Sequence, residues 1–375
     1  MIRARIPGFV CVLVLCGILA LGLWPFHRLK NDLTWLRNEN GLRFGGDATI
    51  LSSGAFRIGS QDEGSGSLEI WLQPGLTSDS NTLLSFSPPE NPLQFSLHQY
   101  RSSLILQRHI QAEHRTATIG IEGVFRQIRP VFITITSGAK GTEMYVDSAL
   151  ADRFQQFRLR KDFTGQLVVG TSPIARDSWQ GELRGLAIYR SELTAAEVLH
   201  HYETWTKQGR PEITYNESPI ALYLLDERGG PVAHDSLHSG IDLNIPERYT
   251  LLHQIFLQPF WEEYRPGWGY WRDVLLNVIG FVPLGFFFCS YLSSIPRIKQ
   301  PPLVTTVLGF AVSLTIEVLQ SYLPTRSSGT TDLITNTLGT FLGIKLFSLR
   351  GVRALLARVN SARTLLMLGS TSDEK

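Results

Sequence analysis

DVLLNVIGFVPLGFFFCSYL, residues 273–292, decides what kind of chain this is. The run is apolar and long enough to cross a bilayer as a helix, yet Asp273 opens it and Asn277 follows one helical turn later. Two further runs repeat the pattern. LVTTVLGFAVSLTIEVLQSYL at 303–323 holds Glu317 and Gln320 near its end, and DLITNTLGTFLGIKLFSL at 332–349 opens with Asp332 and Asn336. An ionisable group inside a membrane span is costly, so each pair marks a candidate functional site.

A fourth apolar run, PGFVCVLVLCGILALGLWPF at 7–26, follows Arg3 and Arg5. Ala20 and Gly22 make a poor small-residue cleavage pattern, so it reads as an uncleaved signal anchor, with a cleaved secretory signal as the alternative. Leu15 is larger than lipid-attachment processing at Cys16 accepts. Arg297 and Lys299 fall between the second and third spans, and Arg350, Arg353, Arg358 and Arg363 follow the fourth. The positive-inside rule then predicts four spans in the plasma membrane, with both termini cytoplasmic and the region from residue 27 to about 270 extracytoplasmic, together with the loop PTRSSGTTD.

The chain has 375 residues and a formal net charge of +2, with no long basic run, which excludes the electrostatic footprint of a nucleic-acid binder. Its three cysteines, Cys11, Cys16 and Cys289, lie within predicted spans, so the exported region must be held by packing rather than disulfides. Phe256, Phe260, Trp261, Tyr264, Trp268, Tyr270 and Trp271 crowd the approach to the second span and suit the headgroup level. The tail VRALLARVNSARTLLML interleaves arginines with apolar residues at helical spacing, as an inner-leaflet helix would.

Between residues 40 and 190 the period changes to two. Leu68, Ile70 and Leu72 alternate with Glu69, Trp71 and Gln73, Leu93, Phe95 and Leu97 with Gln94, Ser96 and His98, and Val131, Ile133 and Ile135 repeat the pattern. Such runs, punctuated by Gly, Pro, Ser and Asn, predict an antiparallel β-sandwich. SELTAAEVLHHYETW follows as a short helix, with Thr194 and Glu197 spaced for a capping box. Glu69 and Glu182, each isolated on its strand, read as solvated carboxylates. Asp47, Asp147 and Asp177 have no spacing that argues for calcium.

NGLRFGGDA, GSLEIWLQP and WQGELRGLAIYRSELTAAEVLHHY resemble successive pieces of the laminin-G-like, concanavalin A-like jelly-roll family, and IALYLLDERGGPVAHDS at 220–236 resembles one of its strands displaced to a late position. The resemblance implies glycan or protein binding. The Glu-x-Asp-x-x-Glu strand of the family's glucanases is missing, which argues against glycan hydrolysis.

Residues 273–343 resemble the VanZ-like membrane proteins. The family's recurring elements fall on Asn277, Phe281, Pro283 and Gly285, on Glu317 and Gln320, on Arg326, and on Asp332, Asn336 and Gly339. The resemblance implies an association with resistance to the glycopeptide teicoplanin and with envelope stress, but no agreed biochemical activity. The chain therefore divides into a signal-anchor span (1–30), a laminin-G-like jelly roll (31–206), a late strand and connector (207–250), an aromatic interfacial segment (251–272), a VanZ-like transmembrane domain (273–350) and a basic tail (351–375). The fold class is a multidomain membrane protein, an exported all-β sandwich plus an α-helical bundle.

Each polar pair, at spacing three or four, shares one helix face. Asp273, Asn277, Glu317, Gln320, Arg326, Asp332 and Asn336 are thus expected to line an outward-facing pocket, where helix N-termini and Arg326 suit an anionic headgroup. The alternative is structural: Asp273 and Asp332 as caps, Arg326 neutralising Glu317, and the carboxamides bonding neighbouring helices. Gly339 and Gly343 read as a helix-packing pair, and Pro283 as a kink.

Three functions follow in order of preference. The first is binding of an anionic envelope lipid or a glycan intermediate, with the jelly roll capturing glycan. The second is an enzyme on lipid-linked sugar or phosphate, with Glu317 or Asp332 as general base. The third is an adaptor that docks an envelope protein. No metal or cofactor is expected, since no histidine follows His253.

Overall fold

Alternation builds the first strands as expected. Leu68, Ile70 and Leu72 lie on one face of β4 (Gly66–Pro74), and all three are buried. The structure, a computed structural model, describes residues 5–24, 29–57, 65–78, 80–110, 115–159, 162–253, 256–263, 268–323, 328–349 and 351. They form two compact units: His27–Gln254, and Met1–Phe26 together with Ile255–Lys375.

The first unit is an all-β sandwich. One antiparallel sheet runs β1 (Leu33–Trp35), β2 (Leu42–Phe44), β13 (Gly181–Tyr189), β4, β9 (Val131–Gly138), β10 (Gly141–Val146) and β11 (Ala149–Phe154), with β14 (Pro219–Tyr223) also on β13. The second runs β15 (Val232–Ala233), β16 (Leu243–Asn244), β3 (Ile50–Phe56), β12 (Gly165–Val169), β5 (Ser80–Ser87), β6 (Phe95–Tyr100), β7 (Ser103–Ile110) and β8 (Arg115–Ile121). Residues 219–244 thus supply strands to both sheets, and the unit includes the connector region.

Between the sheets, Leu42, Phe44, Leu68, Ile70, Ile133 and Leu186 meet Ile50, Phe86, Phe95, Leu97, Leu104 and Leu167. Phe86, Phe95 and Phe163 have ring centroids 5.3–5.9 Å apart in tilted and edge-on contact. A second apolar cluster lies on the other face of the first sheet. There α2 (Ala195–Gln208) seats Val198 and Trp205 against Phe132, Ala187 and Tyr189. Both halves of the Thr194–Glu197 capping box are present. Gly185 makes the close approach possible: a Cβ there would meet the Trp205 ring at 2.4 Å.

The second unit is helical: α1 (Arg5–Leu23), the single turn α3 (Phe260–Glu263), α4 (Trp268–Ser293), α5 (Pro301–Gln320) and α6 (Thr330–Ser348). Among the described residues, two helices are long and apolar enough to cross a membrane, Tyr270–Ser293 and Pro301–Gln320, and Gly8–Leu23 is a shorter apolar helix. Threonines, glycines, Asp332 and Lys345 make α6 less apolar, although it reaches 19 residues. Of the four runs read as spans, two therefore meet the criterion.

Helices α4 and α6 pack backbone to backbone. A Cβ on Gly285 would lie 1.9 Å from the Thr340 carbonyl oxygen, one on Gly339 2.2 Å from that of Val278, and one on Gly343 2.1 Å from that of Val282. Small residues allow this approach where no hydrophobic force between helices would otherwise drive it. α4 continues through Pro283 and begins at Trp268, so Asp273 lies in its second turn and does not cap it.

Candidate functional site

Glu317 and Gln320 close α5, Asp332 and Asn336 lie in the first turns of α6, and Asn277 faces them from α4. The chain folds these elements to one end of the helical unit, and a polar network results. Asn277 Nδ2 donates to Asp332 Oδ1 at 2.7 Å, and Asn336 Nδ2 to Ser313 Oγ at 3.0 Å. Gln320 Nε2 donates to the Gly22 carbonyl of α1 at 2.8 Å. The Gly329 amide donates to Glu317 Oε2 at 2.8 Å, and the Ser328 hydroxyl also bonds this carboxylate. Glu317 is 1% exposed, Gln320 6% and Asn336 4%.

Glu263, from α3, completes the cluster. Its Oε2 accepts the Thr331 amide at 3.1 Å, and a Cβ on Gly329 would lie 1.8 Å from its Oε1. Two carboxylates therefore meet at Gly329, where α6 begins. Sequence reasoning missed Glu263, Ser328 and Ser313. Glu263 sits in a segment whose aromatic residues point to an interface, and only the turn α3, which brings Gln258 beside Ser328 and Thr330, carries it back to the bundle.

Asp273 does not join the cluster. Its carboxylate is 63% exposed and pairs with neighbouring Arg272 at 3.2 Å, a surface contact of little energetic consequence. Arg326 and the basic tail from residue 352 lie outside the described residues, as does Tyr264. Gly329 and Thr331 already present their amides to Glu317 and Glu263. The start of α6 is therefore not free to receive an external anion, contrary to the expectation from its dipole.

Among the described residues, five atoms of the cluster find no hydrogen-bond partner: Glu317 Oε1, Glu263 Oε1, Gln320 Oε1, Asn336 Oδ1 and Thr331 Oγ1. Buried polar atoms are nearly always paired, and an apolar surrounding makes each unmade bond expensive. All five can accept, and four can only accept. Among the described residues no group of three His, Cys, Asp or Glu is placed to hold a metal.

The sandwich carries a second buried polar cluster, and it corrects the reading of Glu69 as solvated. Glu69 is fully buried, accepts from Tyr189 Oη at 2.7 Å, and has both oxygens 3.1 Å from His201 Nδ1. His201 Nε2 lies 3.1 Å from Glu217 Oε2. Burial alone would lower the His201 pKa, but the hydrogen bond and charge of Glu69, joined by those of Glu217, outweigh it and hold the imidazole above its ordinary value. α2 covers this face of the sheet, so alternation on β4 marked Glu69 as polar without indicating that a helix would bury it.

Glu182 is likewise engaged rather than free, bonded by Arg43 at 2.8 Å and Arg184 at 2.9 Å. Asp47 pairs with Arg176, Asp147 with Arg129, and Asp177 accepts from Thr82. These three aspartates are held by separate partners and do not assemble a calcium site.

Residues 231–351 match the VanZ/LLP1 family model, and residues 44–199 match the Laminin_G_3 model of the concanavalin A-like lectin/glucanases superfamily. Protein VanZ of Enterococcus faecium is 37% identical over 81 residues, which are 22% of this chain and 47% of that protein. The chain thus spans about half the length of the curated relative it matches. Among solved structures, the receptor-binding domain of a botulinum neurotoxin C/D mosaic serotype is 14% identical, with a TM-score of 0.36 over 55% of this chain and 59% of that one. The type G receptor-binding domain is 13% identical, with a TM-score of 0.33 over 47% and 45%. By the two family models, the chain joins a stretch similar to concanavalin A-like domains of the laminin G type to a later stretch similar to the VanZ/LLP1 family.

Proposed function

We propose that the chain is a multi-pass protein of the plasma membrane, crossed by α1, α4, α5 and α6, with both termini cytoplasmic and the sandwich outside. Its polar cluster then opens at the extracytoplasmic ends of the helices and binds the headgroup of an envelope lipid or a lipid-linked glycan intermediate. The concanavalin A-like domain captures the glycan portion or a protein of the envelope. The family match supports a part in glycopeptide resistance or envelope maintenance.

Glu317 carries this proposal. A carboxylate 1% exposed in the last turn of an apolar helix, with one oxygen unpartnered among the described residues, is a standing cost that stability alone does not explain. Arg326, the next basic residue along the chain after Gln320, is the group proposed to meet a headgroup phosphate.

Glu317→Gln and Arg326→Ala are each expected to abolish protection in cells challenged with a glycopeptide or with envelope stress, while the protein inserts and accumulates as before. Full protection in both variants would remove the cluster from consideration. Crosslinking from Asn277 in cells separates the occupants, since the proposal expects lipid or glycan, and one dominant protein partner would favour an adaptor.

A further inference from the structure

The cluster is built to receive donors. Gln320 Nε2 donates to a backbone carbonyl and Asn336 Nδ2 to Ser313 Oγ, while the amide oxygen of each finds no partner among the described residues. Glu317 and Glu263 each use one oxygen on an amide at the start of α6 and leave the other without a partner. Both carboxylates touch Gly329, and Asp332 acts on Glu317 electrostatically from the same side. Among the described residues this acidic cup has unpaired acceptors on Glu317, Gln320 and Asn336, side chains that are more than nine-tenths buried.

We propose that the cup binds a primary ammonium group, R–NH3+, carried by the headgroup or glycan that occupies the site. The inference rests on the proposed pocket and names the chemistry it selects. An ammonium has three N–H donors and no acceptor, which fits Glu317 Oε1 together with the oxygens of Glu263 and Gln320. A calcium or magnesium ion asks for six or more oxygens in a tighter shell, and the described residues assemble no such set. In a water-poor setting the charge-assisted bonds from ammonium to carboxylate would offset the cost of burying Glu317. The amine has two possible sources, a lipid such as phosphatidylethanolamine or a soluble amine such as an amino sugar.

The test uses the full chain in phosphatidylcholine nanodiscs, with thermal unfolding as the readout. Ethanolammonium is compared with tetramethylammonium, which has the same charge and no N–H, and nanodiscs containing phosphatidylethanolamine form a second arm. Stabilisation by ethanolammonium and by phosphatidylethanolamine, but not by tetramethylammonium, is expected. Stabilisation by the lipid alone would support the proposal and assign the source. Glu317→Gln and Glu263→Gln should each weaken the response about tenfold or more, the scale of one charge-assisted hydrogen bond. An equal effect of tetramethylammonium, or an undiminished response in both variants, would overturn the ammonium site. If no amine stabilises the protein while Asn277 still crosslinks to lipid or glycan, the ammonium inference fails and the pocket stands. If neither occurs, both fail.

Discussion

At His201 a single side chain ties a helix to a sheet. The imidazole is 0% exposed and lies between Glu69, itself bonded to Tyr189, and Glu217, whose oxygens also accept from Thr214 at 2.8 and 2.9 Å. Removing one partner of a buried ion pair leaves the others uncompensated, so His201→Ala is expected to destabilise the sandwich by about 3 to 5 kcal/mol. The folded pKa of His201 is raised, so its contribution is complete below the unfolded value of about 6.5 and is lost as pH climbs through the folded one. Hydrogen exchange in α2 should therefore accelerate from about pH 6 to pH 9 beyond the intrinsic chemical rate, and His201→Ala should abolish that excess. Equal protection at both values would show that folded His201 does not change its charge across this range. At this scale the sequence was partly legible. Thr194 and Glu197 announce a cap because the interaction is local, whereas Glu69, Glu217 and His201 are 132 and 16 residues apart and nothing local pairs them.

Among the elements, α4 and α6 depend most on the absence of side chains. Gly339 and Gly343 lie over the carbonyls of Val278 and Val282, so a side chain there must separate the helices. Gly339→Leu should lower membrane accumulation and thermal stability, by at least the ~1 to 3 kcal/mol typical of overpacking. Gly280→Ala, on α4 with nothing within 4 Å of the new Cβ, is the control and should be neutral. Comparable losses in the two variants would mean that contact with α4 is not the cause, since alanine and leucine both favour a helix over glycine. The Gly-x-x-x-Gly spacing was readable in advance because it depends only on helical periodicity. The partner helix was not, since spacing does not say which of three neighbouring helices presents its backbone.

For the molecule as a whole, the decisive question is the side of the membrane on which the sandwich lies. Reporter fusions after residues 60 and 323 are expected to report the extracytoplasmic side, and fusions after residues 297 and 360 the cytoplasm. A cytoplasmic signal at 323 would place the acidic cup on the wrong face for an envelope ligand. The sequence by itself determined the alternating strands, the apolar helices, the capping box and the polar pairs at spacing three and four, because periodicity and local chemistry are written in adjacent residues. It also carried enough of the concanavalin A-like and VanZ-like patterns for both halves to be recognised. Only the tertiary structure decided that Asn277 meets Asp332, that Asp273 stays apart, that Glu263 joins Glu317 at Gly329, and that Glu69 is buried under α2. Each of these depends on how separate elements pack, and a side chain's partner across a fold is set by that packing and not by its neighbours in the chain.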